Sequence, residues 1–109
     1  MNTIPIMRGK QCKLYKVNGD IEDILPESKT KGFTLEEVYK ILDISMVQAV
    51  PLVASDGSEY TLLCDEEGKL VNNWADKINI EATKVWNQFY GDTDIIVGDV
   101  IICSNEYFK

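Results

Sequence analysis

The side chains that could do chemistry in this 109-residue chain begin with three cysteines, Cys12, Cys64 and Cys103. They are widely spaced, form no Cys-x-x-Cys pair, and occur in a chain with no histidine. This pattern predicts neither a disulfide framework nor a zinc site. Without histidine, the chain alone can form neither a Ser–His–Asp nor a Cys–His catalytic arrangement. Cys64 and Cys103 end apolar runs, where cysteine is typical as a small buried side chain.

Asp65, Glu66 and Glu67 form an acidic triplet that could hold a metal ion. Calcium loops place oxygen ligands at alternating positions over a longer loop that ends in a bidentate glutamate. The segment CDEEGKL lacks that spacing. We interpret the triplet as a solvated turn, and we expect no metal and no cofactor.

Three further side chains are candidates for a binding surface. Asn79 and Thr83 would lie one turn apart on a helix and could contact a ligand or partner together, although helix capping alone explains Asn79. Trp74 lies in the loop NNWADK. It could anchor a protein partner, because aromatic side chains dominate interface hot spots, or it could fold back onto the core.

The apolar run DIIVGDVII, residues 94–102, contains Gly98 and Asp99 at its centre. Asp99 is a candidate binding residue if this step is a site. We favour a β-bulge, because one extra residue would return the flanking apolar side chains to one face of a strand. Asp99 could then point outward and bond to nearby backbone.

The net charge of −7 is unevenly distributed along the chain. Residues 1–16 contain Arg8, Lys10, Lys13 and Lys16 and no acidic residue, so all 18 acids lie in the remainder. An acidic surface repels phosphates, so we expect no direct binding to nucleic acid. If the protein instead binds a nucleotide ligand, Arg8, Lys10 and Lys13 are the residues to test. The first ten residues do not resemble a secretory signal, and no apolar stretch could span a membrane. We expect a cytoplasmic protein with no membrane contact.

The elements that position these residues follow from periodicity and turn residues. Asn18-Gly19 predicts a hairpin, Thr34 with Glu37 predicts a capping box, and Pro51 predicts an edge or kinked strand. The order is strand, strand, helix, strand, strand, helix, strand, over residues 12–25, 32–43, 46–64, 76–91 and 94–104. Gly68 would close a turn before a short strand at 69–71. We predict an α+β fold, a mostly antiparallel sheet with two helices packed on one face.

The predicted domain organisation is simple. Residues 1–11 would be an N-terminal basic arm, with a short strand as one alternative, and residues 107–109 a tail. Residues 12–106 would form a single α+β domain.

Four blocks of the sequence, GFTLEEVYKIL, DEEGKL, NIEATKVW and DIIVGDVIIC, resemble a known family in order and spacing. The family is catalogued as domain of unknown function 3846 and is found in phages, plasmids and bacterial mobile elements. Its pattern falls on Phe33 to Val38, Glu66 to Leu70, the set Asn79, Ala82 and Thr83, and Asp94 to Ile101. This chain departs from the pattern at DISM and at the longer VNNWADK. The resemblance implies a mobile-element setting and assigns no activity.

These observations predict a non-enzymatic protein that binds a host or element protein, as an inhibitor, an anti-defence factor or an accessory factor. The alternative is a small-ligand-binding homo-oligomer, or sponge, that pairs through strand edges. A third hypothesis is an acidic mimic of DNA.

Overall fold

The computed structural model describes residues 12–24, 33–53, 57–67 and 74–104. These residues form five strands, two α-helices and one 3-10 helix. In chain order they are β1 (Cys12–Tyr15), β2 (Ile21–Asp23), α1 (Leu35–Leu42), β3 (Val47–Val53), β4 (Glu59–Asp65), the 3-10 helix (Trp74–Lys77), α2 (Ile80–Tyr90) and β5 (Val100–Ser104). The predicted order of strands and helices is confirmed.

The five strands form one antiparallel sheet in the order β2-β1-β5-β4-β3. The β1–β2 hairpin closes through the predicted Asn18-Gly19 turn, where Lys16 N donates to Asp20 O at 2.9 Å and Gly19 has a φ of 99°. Pro51 lies on the edge strand β3, as predicted. The α+β class with an antiparallel sheet is therefore confirmed.

The two helices pack on opposite faces of the sheet, which corrects the prediction that both lie on one face. α2 packs over a cluster that includes Leu62 and Ile102, whereas α1 packs over one that includes Leu63 and Ile101. Successive residues of a strand point to opposite faces. Because all of β5 is buried and apolar on both sides up to Ser104, each face needs its own helix to exclude water.

Both helices begin at caps. Thr34 and Glu37 form the predicted capping box of α1. α2 begins at Ile80 behind Asn79, later than the predicted start at 76, and Gly91 ends it as predicted with its N–H on Asn87 O. Apolar side chains recur at helical spacing along one face of α1, but that face is only half buried: Val38 and Leu42 are inside, whereas Leu35 is 49% exposed.

Cys12 and Cys103 form a disulfide between β1 and β5, so the prediction of no disulfide is wrong. The two residues are direct cross-strand partners with Cα atoms 4.1 Å apart. The two cysteines are 91 residues apart in sequence. Only the strand register makes them neighbours, so their sequence spacing does not predict the pair. Cys64 is buried, as predicted, and takes no part in a disulfide.

Several predicted features lie outside the described residues. These are the basic arm with Arg8 and Lys10, the turn at Gly68, the short strand at 69–71 and the tail. In the portion of the chain that is described, no helix is long and apolar enough to cross a membrane.

Candidate functional site

Asn79 and Thr83 form an internal hydrogen-bonded joint. The buried Asn79 side chain accepts from Ala82 N at 3.0 Å and donates to Tyr15 O at 2.9 Å and Gly98 O at 2.8 Å. The Thr83 hydroxyl donates to Asn79 O at 2.7 Å and accepts from Ile96 N at 3.0 Å. These bonds occupy both amide donors of Asn79, so the structure assigns the pair a structural role in joining α2 to β1 and the 96–98 segment.

The Gly98–Asp99 step is a break in the strand. Gly98 has a φ of 82°, and β5 begins only at Val100. The preceding Val97 forms an isolated bridge with Ile78, and Gly98 N donates to Lys77 O at 2.8 Å. Asp99 accepts from Val17 N at 2.9 Å, which fastens the β1–β2 turn to the start of β5. The predicted β-bulge is therefore wrong, because the chain breaks here between an isolated bridge and β5, whereas Asp99 bonds to nearby backbone as predicted.

Two lysines at the end of the basic N-terminal stretch form ion pairs across the hairpin. Lys13 Nζ lies 2.6 Å from Asp23 Oδ1, and Lys16 Nζ lies 2.8 Å from Glu22 Oε2. The hydrogen bond and the charge of Glu22 raise the pKa of Lys16 above its usual value. Lys13 is thus engaged in an ion pair within the hairpin.

Trp74 lines an open depression of about 350 Å³ with four residues from the loop that follows α2. We call this surface the Trp74 depression; it is lined by Trp74, Asp92, Thr93, Asp94 and Ile95. Trp74 is 36% exposed and Ile95 is 41% exposed, so both apolar side chains are partly accessible to solvent. Of the two alternatives for Trp74, the structure places it at a surface.

Hydrogen bonds of residues in or next to the Trp74 depression hold the two segments that line it. Asn79 N donates to Ile96 O at 2.8 Å, which ties the end of the 3-10 helix to the 91–95 loop. Trp86 Nε1 donates to Thr93 Oγ1 at 2.9 Å, and Thr93 N bonds to Gly91 O at 2.9 Å. These bonds position the depression before any partner arrives, which lowers the entropic cost of binding.

The lining combines an aromatic ring, a branched aliphatic side chain and two carboxylates, with no basic side chain. An apolar side chain of a partner could cover Trp74 and Ile95, while lysines or arginines beside it would meet Asp92 and Asp94. Apolar anchors with a charged rim are typical of protein interfaces.

Sequence reasoning identified Trp74 but missed the other four residues. The sequence predicts Asp94 and Ile95 in the last strand, whereas they lie in the loop before it. A signal was present in GDTDI, where a helix-ending glycine precedes two acids and an exposed isoleucine. The sequence alone does not predict that Trp74 lies beside this loop, because the two are far apart along the chain.

The acidic triplet ends β4. Asp65 Oδ1 accepts from Glu67 N at 2.9 Å, which closes a turn at this position. In the described portion of the chain, no three Cys, Asp or Glu residues are grouped as a metal site would need.

Comparison with known proteins finds no family model, curated protein or solved structure that matches this chain.

Proposed function

We propose that this protein is a non-enzymatic binding protein that holds a host- or element-encoded protein at the Trp74 depression. The observation that carries the proposal is the joint exposure of Trp74 and Ile95 beside Asp92 and Asp94. A phage or mobile-element setting, with an inhibitory, anti-defence or accessory role, rests on the four sequence blocks. A cytoplasmic location belongs to the same proposal.

The chemistry of the depression defines the partner segment. It carries an apolar side chain that covers the tryptophan ring, with lysine or arginine on either side. Attraction to a chain of net charge −7 would also speed the encounter at low ionic strength. Added salt should weaken the complex, because the carboxylates are exposed.

The test is site-specific photo-cross-linking in a bacterial host, with benzoylphenylalanine replacing Trp74. The control places the same group at Leu35, an exposed apolar residue on α1. We expect one protein adduct from position 74 that is absent from position 35. Equal adducts from both positions would contradict the proposal.

A charge reversal then tests the carboxylates. Asp92→Lys should weaken the cross-link, because it repels a basic partner. Glu66→Lys, which reverses another exposed acid, should leave it intact. If both substitutions act alike, only the overall charge matters and the depression is not the docking site.

The ligand-binding alternative has one supporting observation. The volume of about 350 Å³ lies near the lower end of small-ligand sites. Native mass spectrometry of the purified protein separates the two functions, since a small bound mass in a symmetric oligomer would favour the sponge.

A DNA mimic is less well supported, because three acidic side chains already pair with lysines, in Lys13–Asp23, Lys16–Glu22 and Lys84–Glu81.

A further inference from the structure

The edge strand β3 has no charged residue. Its sequence is VQAVPLV, in a chain of which 27% of residues are charged. Exposed sheet edges are usually protected from pairing by charged side chains, especially lysine. On a chain of net charge −7, an uncharged edge is where a second copy meets the least repulsion.

The backbone groups at the outer edge of β3 can be identified from its register. Glu66 N donates to Met46 O at 3.0 Å, so Met46 faces β4. Because the direction of the backbone groups alternates along a strand, the N–H and C=O groups of Gln48, Val50 and Leu52 also point toward β4. The N–H and C=O groups of the alternate residues point away from the sheet, at Val47, Ala49, Pro51 and Val53.

Pairing at this edge is blocked toward the end of β3. Pro51 has no N–H to donate, and its carbonyl accepts from the Tyr90 hydroxyl. The Tyr90 ring is held by Trp86, with ring centroids 4.5 Å apart. Among the described residues no strand pairs with the outer edge at Val47 and Ala49. The open portion of the edge is therefore its first half.

We infer that β3 pairs antiparallel with β3 of a second copy of this chain, about a two-fold axis at Gln48. Val47 of each copy exchanges two backbone hydrogen bonds with Ala49 of the other, which makes four bonds in total. This register uses every open outward group between Ser45 and Pro51. An axis at Ala49 would place Val47 opposite Pro51, where a donor is missing and the carbonyl is occupied.

The side chains of β3 in one copy are compatible with those of β3 in the other. Val47, Ala49, Pro51 and Val53 point to the α1 face, where α1 contacts β4 and β5. Val53 is 61% exposed there. The two Gln48 side chains would lie opposite each other, and an amide can both donate to and accept from its copy. No like charges meet.

The inference is independent of the proposed function, because β3 contributes no residue to the Trp74 depression. The paired segment is short, so we expect a dissociation constant in the roughly micromolar range. Sedimentation velocity of the full chain over a concentration series should show a monomer–dimer equilibrium. A monomer at every concentration up to about 0.5 mM would overturn the inference.

Two proline substitutions test the register. Ala49→Pro removes one outward N–H from each copy and no bond to β4, so dimerisation should weaken by at least about tenfold. Val53→Pro also removes an outward N–H, but outside the paired segment, and should leave the dimer intact. Pro51 already occupies an equivalent outward position in the folded strand. Equal effects of the two substitutions would refute this register.

A charge-swap experiment tests the axis without altering the backbone. Gln48→Glu and Gln48→Lys should each abolish self-association, because like charges would meet at the axis. Mixing the two variants should restore a heterodimer. Failure of the mixture to associate, when each variant is folded by circular dichroism, would show that Gln48 does not face its copy.

Discussion

At the residue scale, Tyr15 is the side chain whose hydrogen bonding is incomplete. Its hydroxyl is buried under α2, and within the described part of the chain it has no partner. Burial raises the pKa of the Tyr15 phenol far above its usual value, and the nearby Glu81 carboxylate raises it further. An unpartnered buried hydroxyl lowers stability, because water hydrates it in the unfolded chain.

Tyr15→Phe should therefore raise the free energy of unfolding by about 1–2 kcal/mol at neutral pH. Urea unfolding measures the change, and Tyr39→Phe on the partly exposed face of α1 is the control, expected within about 0.5 kcal/mol of the parent. A less stable Tyr15→Phe protein would mean that the hydroxyl has a partner.

The pH dependence provides a second measurement on the same variant. The folded chain holds the phenol proton more tightly than the unfolded chain, so this contribution is complete below about pH 10 and declines as the pH rises further. The parent protein should lose stability above about pH 10 more steeply than Tyr15→Phe. Parallel curves would contradict the raised pKa.

At the element scale, the two helix caps differ in what they hold. The bonds of Thr34 to described residues lie within the first turn of α1. Asn79 caps α2 and also binds the carbonyls of Tyr15 and Gly98, so it fixes the helix to the sheet.

Asn79→Ala should accordingly cost about 3 kcal/mol, because it leaves buried backbone groups without partners. Thr34→Ala removes an exposed cap and should cost about 1 kcal/mol. Thermal or urea unfolding compares the two. Equal losses would indicate that the bonds from Asn79 to the carbonyls contribute little.

The helices also illustrate the limit of periodicity. Capping residues predicted both helix starts within a few positions, because a cap is formed by neighbours in sequence. The face each helix covers was not predictable in the same way. Leu35 has the correct spacing for the core yet is exposed, since α1 is placed by β4 and β5.

At the scale of the whole molecule, the Cys12–Cys103 disulfide links the first and last described strands. Closing a loop of this length restricts the unfolded chain, an effect worth about 4–5 kcal/mol in the chain-entropy estimate and commonly about 2–4 kcal/mol when measured. Disulfides persist mainly under oxidising conditions, so the redox state of Cys12 and Cys103 in the cell is a measurement that tests the proposed cytoplasmic location.

The double substitution Cys12→Ala with Cys103→Ala should lower the free energy of unfolding by about 2–4 kcal/mol. In urea unfolding, a dithiol reductant should lower the free energy of unfolding of the parent by the same amount. The reductant should not change the free energy of unfolding of the double variant. Cys64→Ala is the control, because it keeps the response to reductant. Alkylation of the denatured parent should find one free thiol before reduction and all three afterwards.

The sequence by itself determined the element order, the Asn18-Gly19 turn, both caps and the edge position of Pro51. Each depends on the backbone preferences of a few adjacent residues. Only the tertiary structure decided which face each helix covers, the pairing of Cys12 with Cys103, and the meeting of Trp74 with Ile95. These contacts join residues far apart along the chain, and strand register and loop packing, rather than local preference, bring them together.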